Sequence, residues 1–450
     1  MAKTQQVHLM SRALKNRIVS LVREITPAGI EAAQAIAGLA EPPLCEVKSS
    51  AVLERLLAGN GFAVSRPWKN LPTAFLATAG RGKPVVALLA EYDALPDCGD
   101  QPGQWGHGCG HNLLGSGAVM AGIAAAKLLK EQRKSGTILV IGTPAEETLG
   151  GKVYLAAQDA FRGIDAVLAW HPNVETKADI AGGAAMDSLL FQFRGQTAHA
   201  AAVPHEGRSA LDAAMLMDVA VNYLREHIPD NCRMHCVITR GGKAPNVVPD
   251  FAELWYYLRG RDRQQVDDLR RRVCNCAKGA ALATETAWKM VVNTCNTERI
   301  GNRPLTEMLD SLLHVYGPPA FSTDDARQAG KVAPKLAYSP TLDPIMTTPS
   351  RASSDEDNVS WFAPLSKLNV ACVPKGTHLH HRQWAQMART SGAHKGLVRA
   401  AEVLAAGAVE LCLNAKLLGD AKADYQQNMK GKKYDLPLPK KAPPAGFKTA

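Results

Sequence analysis

The sequence predicts an α/β fold in which a mixed sheet flanked by helices is interrupted by an inserted ferredoxin-like α+β domain. Between residues 73 and 171, strand-like runs, polar loops and helical runs alternate, a pattern typical of α/β sheets with chemistry at the strand ends. Residues 186–298 instead follow a β-α-β-β-α-β order, which is that of ferredoxin-like domains. We therefore predict a first domain in two parts, 1–185 and 299–425, and a tail at 426–450.

Hydrophobic periodicity predicts the elements of the first part. Residues 3–60 are helical by pattern, with one face formed by Leu14, Ile18, Leu21 and Ile25. Residues 84–90 form a continuous apolar run that suits a buried strand. The same patterns predict strands at 73–79, 137–143 and 165–170 and a small-residue helix at 112–130.

The insertion and the second part are predicted in the same way. Within the insertion, the patterns predict strands at 187–194, 233–240, 250–259 and 286–294 and helices at 206–227 and 263–284. The second part is predicted to contain a polar loop at 351–361, a strand at 369–374, a histidine-rich turn at 378–381 and an alanine-rich helix at 395–416.

Composition indicates a globular protein with reduced thiols. Of the 450 residues, 46% are hydrophobic and 21% are charged, which allows two or three domains with a large core. No apolar run reaches the roughly 18 residues that would span a membrane, and no secretory signal is evident. The ten cysteines form no CxxC pair. We therefore expect a cytoplasmic protein without a membrane segment.

The net charge of +10 is placed in a way that argues against nucleic-acid binding. Six lysines against Asp435 give the tail at 426–450 a charge of +5, which is half of the total. The tail is also rich in proline and is expected to be extended or loosely docked. A preference for anionic small substrates is the milder consequence that we expect.

Cys109 and His111 are the first candidate metal ligands. They lie two residues apart in the run Gly-His-Gly-Cys-Gly-His-Asn at 106–112. Glycines allow a sharp turn that brings both side chains to one point, and a cation favours the thiolate form of cysteine. The spacing of a nucleotide-binding glycine loop is absent. The loop therefore indicates a transition-metal site.

Carboxylates and imidazoles at the ends of neighbouring strands extend this candidate site. Glu146 and Glu147 follow a predicted strand, so that one can bind metal while the other moves a proton. His171 ends the next strand and is a further candidate ligand, and Asp93 could orient a ligand imidazole. One of His378, His380 and His381 could close the site, and their spacing alone does not choose among them.

Two polar residues of the insertion are candidates for contact with the substrate. His199 lies in the run Gly-Gln-Thr-Ala-His-Ala at 195–200, and Asn246 lies in a proline-rich turn. A histidine far from the metal residues in sequence can donate a hydrogen bond to a developing oxyanion.

Three motifs together resemble the M20 metallopeptidase family and, within it, the amidohydrolase branch. They are GHGCGHNLLG at 106–115, AWHP at 169–172 and ARTSGAHKG at 388–396. The likeness extends from about residue 10 to 418 and is greatest to the p-aminobenzoyl-glutamate hydrolase B-subunit type. It implies a metallopeptidase-type catalytic domain with two metal positions and an inserted lid that forms a homodimer, with a hetero-oligomer as a second possibility.

The resemblance also implies a role for each candidate residue. Glu146 is implied as general base and acid, Asp93 as the orienting carboxylate, and His199 and Asn246 as lid groups that meet the substrate carbonyl, with His199 acting across the dimer. Many family members have a histidine two residues before that aspartate, where this chain has Glu91. The implied ligands of one or two Zn²⁺ or Mn²⁺ ions are Cys109, His111, Glu147, His171 and His380.

The expected reaction is hydrolysis of the amide bond of an N-acyl or N-aroyl amino acid, such as p-aminobenzoyl-glutamate, or of a short dipeptide-like substrate. Arg389, Arg208 and Arg259 are candidates to hold a carboxylate, because arginine offers two parallel donors. One alternative keeps the site and removes an amino group from an electron-poor aromatic ring of the nitroanthranilate kind. The other alternative is a non-catalytic binding homologue.

Overall fold

A computed structural model describes residues 11–68 and 70–437, and its largest element is a seven-stranded mixed sheet. The strand order is β1-β2-β4-β3-β5-β11-β6. The strands are β1 (Ala63–Ser65), β2 (Phe75–Arg81), β3 (Val85–Ala90), β4 (Gly136–Gly142), β5 (Ala166–Asn173), β6 (Lys177–Asp179) and β11 (Leu365–Ala371).

The four central strands of this sheet are parallel. Strand β3 pairs in parallel with β4 and β5, and β5 pairs in parallel with β11. Parallel neighbours have their carboxyl ends at one edge of the sheet, where α/β proteins place their ligand sites. The loops after β3, β4 and β5 therefore meet at a single edge.

Helices cover the sheet and are stabilised by one large apolar core. Helix α3 packs between α1 and α11, and its buried positions contact β3, β4 and β5. Ser11 caps α1, because its hydroxyl accepts a hydrogen bond from Leu14 N. The helices of this region are α1 (Arg12–Leu39), α2 (Val47–Ala58), α3 (His111–Glu131), α4 (Gly151–Ala156), α7 (Arg303–Tyr316), α8 (Thr323–Val332), α9 (Glu356–Val359), α10 (Arg382–Met387), α11 (Ser391–Leu413) and α12 (Ala415–Met429).

Helix α3 is long and apolar enough to cross a membrane when length and composition alone are considered. However, 89% of its most apolar window is buried inside the protein. That burial is what a core helix of this kind of sheet shows.

The second sheet has four antiparallel strands in the order β10-β7-β9-β8. Its separate core is formed by residues between 185 and 292, and two helices cover one of its faces. The elements in chain order are β7 (Ala185–Arg194), α5 (Ala210–Leu224), β8 (Arg233–Arg240), β9 (Phe251–Gly260), α6 (Arg263–Ala283) and β10 (Ala287–Asn296). We call these residues the four-stranded domain.

The fold class predicted from the sequence is confirmed, and the observed order in the four-stranded domain is β-α-β-β-α-β. The division into domains at 1–185, 186–298, 299–425 and 426–450 stays a prediction. The predicted residues 3–10 of the first helix and 438–450 of the tail lie outside the described residues.

Two predicted segments differ from the structure. The supposed polar loop at 351–361 contains helix α9, whose four residues are buried, and Asp355 before it is buried too. Its polar side chains bond to other buried polar groups, which a hydropathy pattern does not reveal. The strand predicted at 369–374 begins earlier, at Leu365, because its pairing with β5 covers the residues from Leu365 to Ala371.

Candidate active site

The loops at the carboxyl ends of the parallel strands bring polar side chains to one place. Glu91 and Asp93 follow β3, Glu146 and Glu147 follow β4, and His171 belongs to the end of β5. These residues are distant in sequence and meet because the strands that carry them are neighbours and parallel.

Cys109 and His111 lie on either side of a sharp turn at the start of α3. Between them, Gly110 has a φ of 80°, a left-handed conformation that favours glycine. Its Cα also faces Pro172 so closely that an added Cβ would lie 3.1 Å from that ring. The turn therefore requires glycine, and it directs both flanking side chains toward the strand ends.

His111 is held by Asp93. Its Nδ1 donates to Asp93 Oδ1 at 2.8 Å, and the other oxygen of Asp93 accepts from the backbone N of Glu147 at 3.0 Å. Burial opposes a charge on His111, but the carboxylates of Asp93, Glu91 and Glu147 outweigh burial and raise its pKa. Asp93 thus fixes the imidazole and the loop of Glu147 together.

The opposite nitrogen of His111 faces carboxylates without a hydrogen bond. Nε2 lies 3.2 Å from Glu91 Oε2, 3.8 Å from Glu147 Oε1 and 4.0 Å from Glu146 Oε2. Both His111 Nε2 and Glu147 Oε1 are buried atoms that lack a hydrogen-bond partner among the described residues. Buried polar atoms rarely stay unsatisfied, so this pair of atoms suits a bound cation.

His171 contributes a second imidazole. Its Nε2 lies 3.4 Å from Cys109 Sγ, and its Nδ1 donates to the carbonyl of Pro172 at 2.6 Å. Burial lowers the pKa of His171 to about 3 and raises that of the Cys109 thiol. A neutral imidazole with a protonated Nδ1 keeps its Nε2 lone pair free for a metal.

His380 is the histidine of the 378–381 turn that reaches the site. Its Nε2 lies 3.4 Å from Glu147 Oε2, and it forms a possible metal group with Cys109 and Glu147. Its φ of 58° is left-handed, and its backbone N donates to Gly108 O at 2.9 Å. His381 instead caps α10.

The donor set fits a divalent transition metal. The ligand atoms within each of three candidate groups lie within 4.8 Å of one another, and Cys109 and His111 each belong to two of the groups. Thiolate, imidazole and carboxylate together are typical of transition-metal sites rather than of Mg²⁺ or Ca²⁺ sites. The members are Cys109, His111 and His171; Cys109, Glu147 and His380; and Glu91, His111 and Glu146.

Glu146 lies beside these candidate ligands and is oriented by Ser354. The hydroxyl of Ser354 donates to Glu146 Oε1 at 2.8 Å. Burial, together with the nearby charge of Glu91, raises the pKa of Glu146. The preceding residue, Ala145, has a left-handed φ of 60°, and its N donates to the buried carboxyl of Glu46 at 2.9 Å.

Glu91 is paired with a fully buried lysine. Lys152 Nζ lies 2.7 Å from Glu91 Oε1 and 2.5 Å from Asp355 Oδ1. Burial alone would raise the pKa of Glu91, but Lys152 and His111 outweigh burial and lower it to about 2. One oxygen of Glu91 is therefore engaged by Lys152, while the other faces His111.

A cavity of about 460 Å³ lies between the two sheets, and its lining includes Cys109, Glu146, Glu147, His171 and His380. Arg259 lines it and is half-buried; its Nη1 donates to Ser353 Oγ at 2.8 Å, and its guanidinium lies 5.5 Å from the ring of Tyr257. No carboxylate pairs with Arg259 within residues 11–68 and 70–437. Arg259 and Tyr257 belong to β9 of the four-stranded domain.

Four other predicted substrate residues do not reach this cavity in one chain. His199 and Asn246 are exposed and adjacent to each other, since Ala200 N donates to Asn246 O at 3.0 Å. Arg208 Nε pairs with Glu285 at 2.6 Å, and Arg389 Nη1 pairs with Asp100 at 3.0 Å. The two arginines have surface carboxylates as partners, and of the three predicted arginines Arg259 is the one that lines the cavity.

The sequence patterns do not predict that Glu46, Lys152, Ser354 and Asp355 lie at the site, and they mark Glu91 only as a departure from the family. A lysine inside the apolar helix α4 and six consecutive polar residues at 353–358 are the signals that point to Lys152, Ser354 and Asp355. Both signals resemble surface features until burial is known, and charged residues are almost never fully buried unless paired.

Comparison with known proteins gives matches over most of the chain. The model of peptidase family M20/M25/M40 matches residues 87–426. The B-subunit of p-aminobenzoyl-glutamate hydrolase from Escherichia coli K12 is 35% identical over 453 residues, which cover 90% of this chain and 93% of that protein. These matches confirm the resemblance inferred from the three motifs.

Two further relatives differ more in sequence. Human Xaa-Arg dipeptidase is 28% identical over 382 residues, which cover 82% of this chain and 81% of that protein. A dinuclear metal-binding peptidase of the M20 family from Bacillus subtilis has a TM-score of 0.53 at 18% identity and covers 90% of this chain and 99% of that chain. The latter likeness shows a shared fold.

Proposed function

Because the chain belongs to the peptidase family M20/M25/M40, we propose that it is a metal-dependent amidohydrolase that cleaves the amide bond of an N-acyl or N-aroyl amino acid. The observation that carries this proposal is the pair of unsatisfied buried atoms, His111 Nε2 and Glu147 Oε1, beside Glu146 at the base of a cavity. The name of the Escherichia coli relative suggests a substrate similar to p-aminobenzoyl-glutamate. The name of the human relative suggests a short dipeptide as the alternative substrate.

The proposed ligands hold one or two Zn²⁺ or Mn²⁺ ions in each copy of the chain. A bound divalent metal supplies Lewis acidity and lowers the pKa of a coordinated water. Asp93 keeps the lone pair of His111 Nε2 directed at the site, and the carbonyl of Pro172 does the same for His171. The ligands are Cys109, His111, Glu147, His171 and His380.

Glu146 is the proposed proton carrier. Its carboxylate accepts a proton from the attacking water and delivers it to the departing nitrogen. Ser354 holds one oxygen of Glu146, which leaves the other, Oε2, for this transfer. A group that takes up and releases a proton near neutral pH needs a pKa above the ordinary value of a carboxyl group. The raised pKa of Glu146 is a shift in this direction.

Arg259 is the proposed carboxylate-binding residue. It faces the cavity, and among the described residues it has a hydrogen bond to Ser353 and no carboxylate partner, so a carboxylate of the substrate can complete its hydrogen bonding. Arg208 and Arg389 would need another copy of the chain or a movement within it to contribute.

His199 and Asn246 are proposed to act on the carbonyl oxygen of the substrate bound to the other copy in a homodimer. The Nδ1 of His199 accepts from Ala201 N and Ala202 N, so a neutral imidazole presents its Nε2–H outward as a donor. The four-stranded domain has an open edge strand, β8, and exposed apolar residues that suit a dimer interface. They include Met215, Val219, Tyr223, Val237 and Ile238.

A hetero-oligomer is the alternative assembly that we propose, because the name of the Escherichia coli relative describes one subunit of an enzyme. A cytoplasmic location, predicted from the cysteine pattern, stays part of the proposal.

The test uses the full chain after chelation and reconstitution with Zn²⁺ or Mn²⁺. It is incubated with p-aminobenzoyl-glutamate, N-benzoylglycine, short Xaa-Arg dipeptides and aminonitrobenzoates, and products are identified by mass spectrometry. We expect release of a free amino acid that depends on metal. Release of ammonia without an amino acid would favour the deaminase alternative, and inactivity with every metal and substrate would contradict the proposal.

A further inference from the structure

The first three residues of helix α9 and the two residues before it form a polar run, Ser354 to Asn358, that contacts several parts of the molecule. Its last four residues are at most 1% exposed. Four consecutive polar side chains in such a position need partners, because an unpaired buried polar group is costly. We call these residues the 354–358 run.

At one end, the 354–358 run contacts the active site. Ser354 donates to Glu146, and Asp355 binds both Nζ and the backbone N of Lys152, at 2.5 and 2.8 Å. Lys152 in turn binds Glu91, which faces His111. Glu146 and the Glu91 carboxylate are therefore both held from this run.

At the other end, the run contacts the segments that follow β6 and β10, at 180–184 and 297–299. Asp357 accepts from Gly183 N at 2.7 Å and from Arg299 Nε at 2.6 Å. Asn358 Oδ1 accepts from Thr297 N at 3.1 Å and from Thr297 Oγ1 at 3.2 Å. Its Nδ2 donates to Asn296 at 3.3 Å, at the end of β10.

We propose that the 354–358 run couples the position of the four-stranded domain to the orientation of Glu146, with Asn358 as a positioning residue. Movement of the four-stranded domain displaces 180–184 and 297–299, and the run must follow or lose buried hydrogen bonds. Because the contacts to these segments and to Glu146 lie within five residues, Ser354 moves with Asn358. This proposal rests on the proposed role of Glu146.

A double-mutant cycle tests the coupling. Asn358→Ala and Ser354→Ala are each expected to lower kcat about tenfold, and the double variant is expected to be no slower than the slower single variant. Asn302→Ala is the matched control, because Asn302 is equally buried but bonds to Leu305 and Ala421, away from the cavity. Its effect is expected to multiply with that of Ser354→Ala.

Amide hydrogen exchange of the metal-loaded protein without substrate gives a readout that does not need turnover. Asn358→Ala is expected to accelerate exchange at 144–151 as well as at 182–184, whereas Asn302→Ala leaves both segments as in the wild type. If Asn358→Ala does not fold, Thr297→Val is used in its place in both experiments. This substitution removes the hydroxyl of Thr297, which is one of the donors to Asn358.

Multiplicative effects of Asn358→Ala and Ser354→Ala, or unchanged exchange at 144–151, would overturn the coupling. A wild type that hydrolyses no amide contradicts the proposed function instead, and the exchange experiment still decides the coupling.

Discussion

The strand-end site of the main sheet and the loops of the four-stranded domain present their polar groups in opposite ways. Inside the protein, Asp93 accepts hydrogen bonds from His111 Nδ1 and from the backbone N of Glu147. His199 and Asn246 are exposed and lie outside the cavity. The comparison teaches that one chain completes the metal-binding half of the proposed site, while the half that would meet the carbonyl oxygen depends on another copy or on domain movement.

The largest expected effect tests the buried half. Glu146→Ala removes the proposed proton carrier and should lower kcat by about 10²–10⁴-fold, because this is the usual contribution of a general acid–base group. Metal content should stay at the wild-type level, since the five proposed ligands remain. Steady-state kinetics and metal analysis check this, with the exposed Glu307→Ala as a control. Near wild-type turnover would remove Glu146 from the mechanism.

The next effect tests the exposed half. His199→Ala loses the proposed oxyanion donor and should lower kcat by about 10²–10³-fold. If His199 acts across a dimer, mixing inactive Glu146→Ala with His199→Ala protein restores activity, because one site of the mixed dimer keeps both residues. Action within one chain predicts no recovery, since each site then lacks one group. Activity is measured after the two proteins have exchanged chains.

A smaller effect concerns the surface on which that assembly depends. Val237→Lys places a charge on the open edge strand β8 and should shift the protein toward the monomer. Leu282→Lys is the control, because Leu282 is exposed at the end of α6, away from this edge. Sedimentation at several concentrations checks both variants. Equal behaviour of the two would place the interface elsewhere.

The remaining effect is on stability and concerns the packing behind the buried half. Burial and the charge of Asp93 raise the pKa of Glu46 to about 8, so the folded protein keeps a proton that the unfolded chain releases near pH 4.5. The contribution of Glu46 to the free energy of unfolding is therefore fully present below pH 4.5. It is lost as the pH rises from about 4.5 to 8, by at most about 1.4 kcal/mol per pH unit.

Glu46→Gln should remove this contribution, because the amide does not titrate. Urea unfolding of the metal-loaded wild type and variant between pH 5 and 8 measures how the free energy of unfolding of each protein changes with pH. The prediction is wrong if the wild type and the variant lose stability equally across that range.

Local patterns predicted most of the fold because strands and helices here bury continuous or periodic apolar faces. The run at 84–90 became the central strand β3, and the glycine-flanked Cys109 and His111 became the turn into α3. The prediction of a polar loop at 351–361 was wrong because a polar run normally indicates exposure to solvent. The aspartates of this segment instead pair with buried partners such as Lys152 and Arg299. Those partners lie 50 or more residues away in sequence.

The sequence by itself determined the α/β class, the family and the residue types that suit a metal, since these depend on periodicity and on motifs within single loops. Only the tertiary structure decided which side chains meet. Parallel strands align Asp93, Glu147 and His171 at one edge, and the choice of His380 and Arg259 over their neighbours follows from the cavity. The physical reason is that a local pattern carries no distance between residues far apart in the chain, whereas the pairing of strands does.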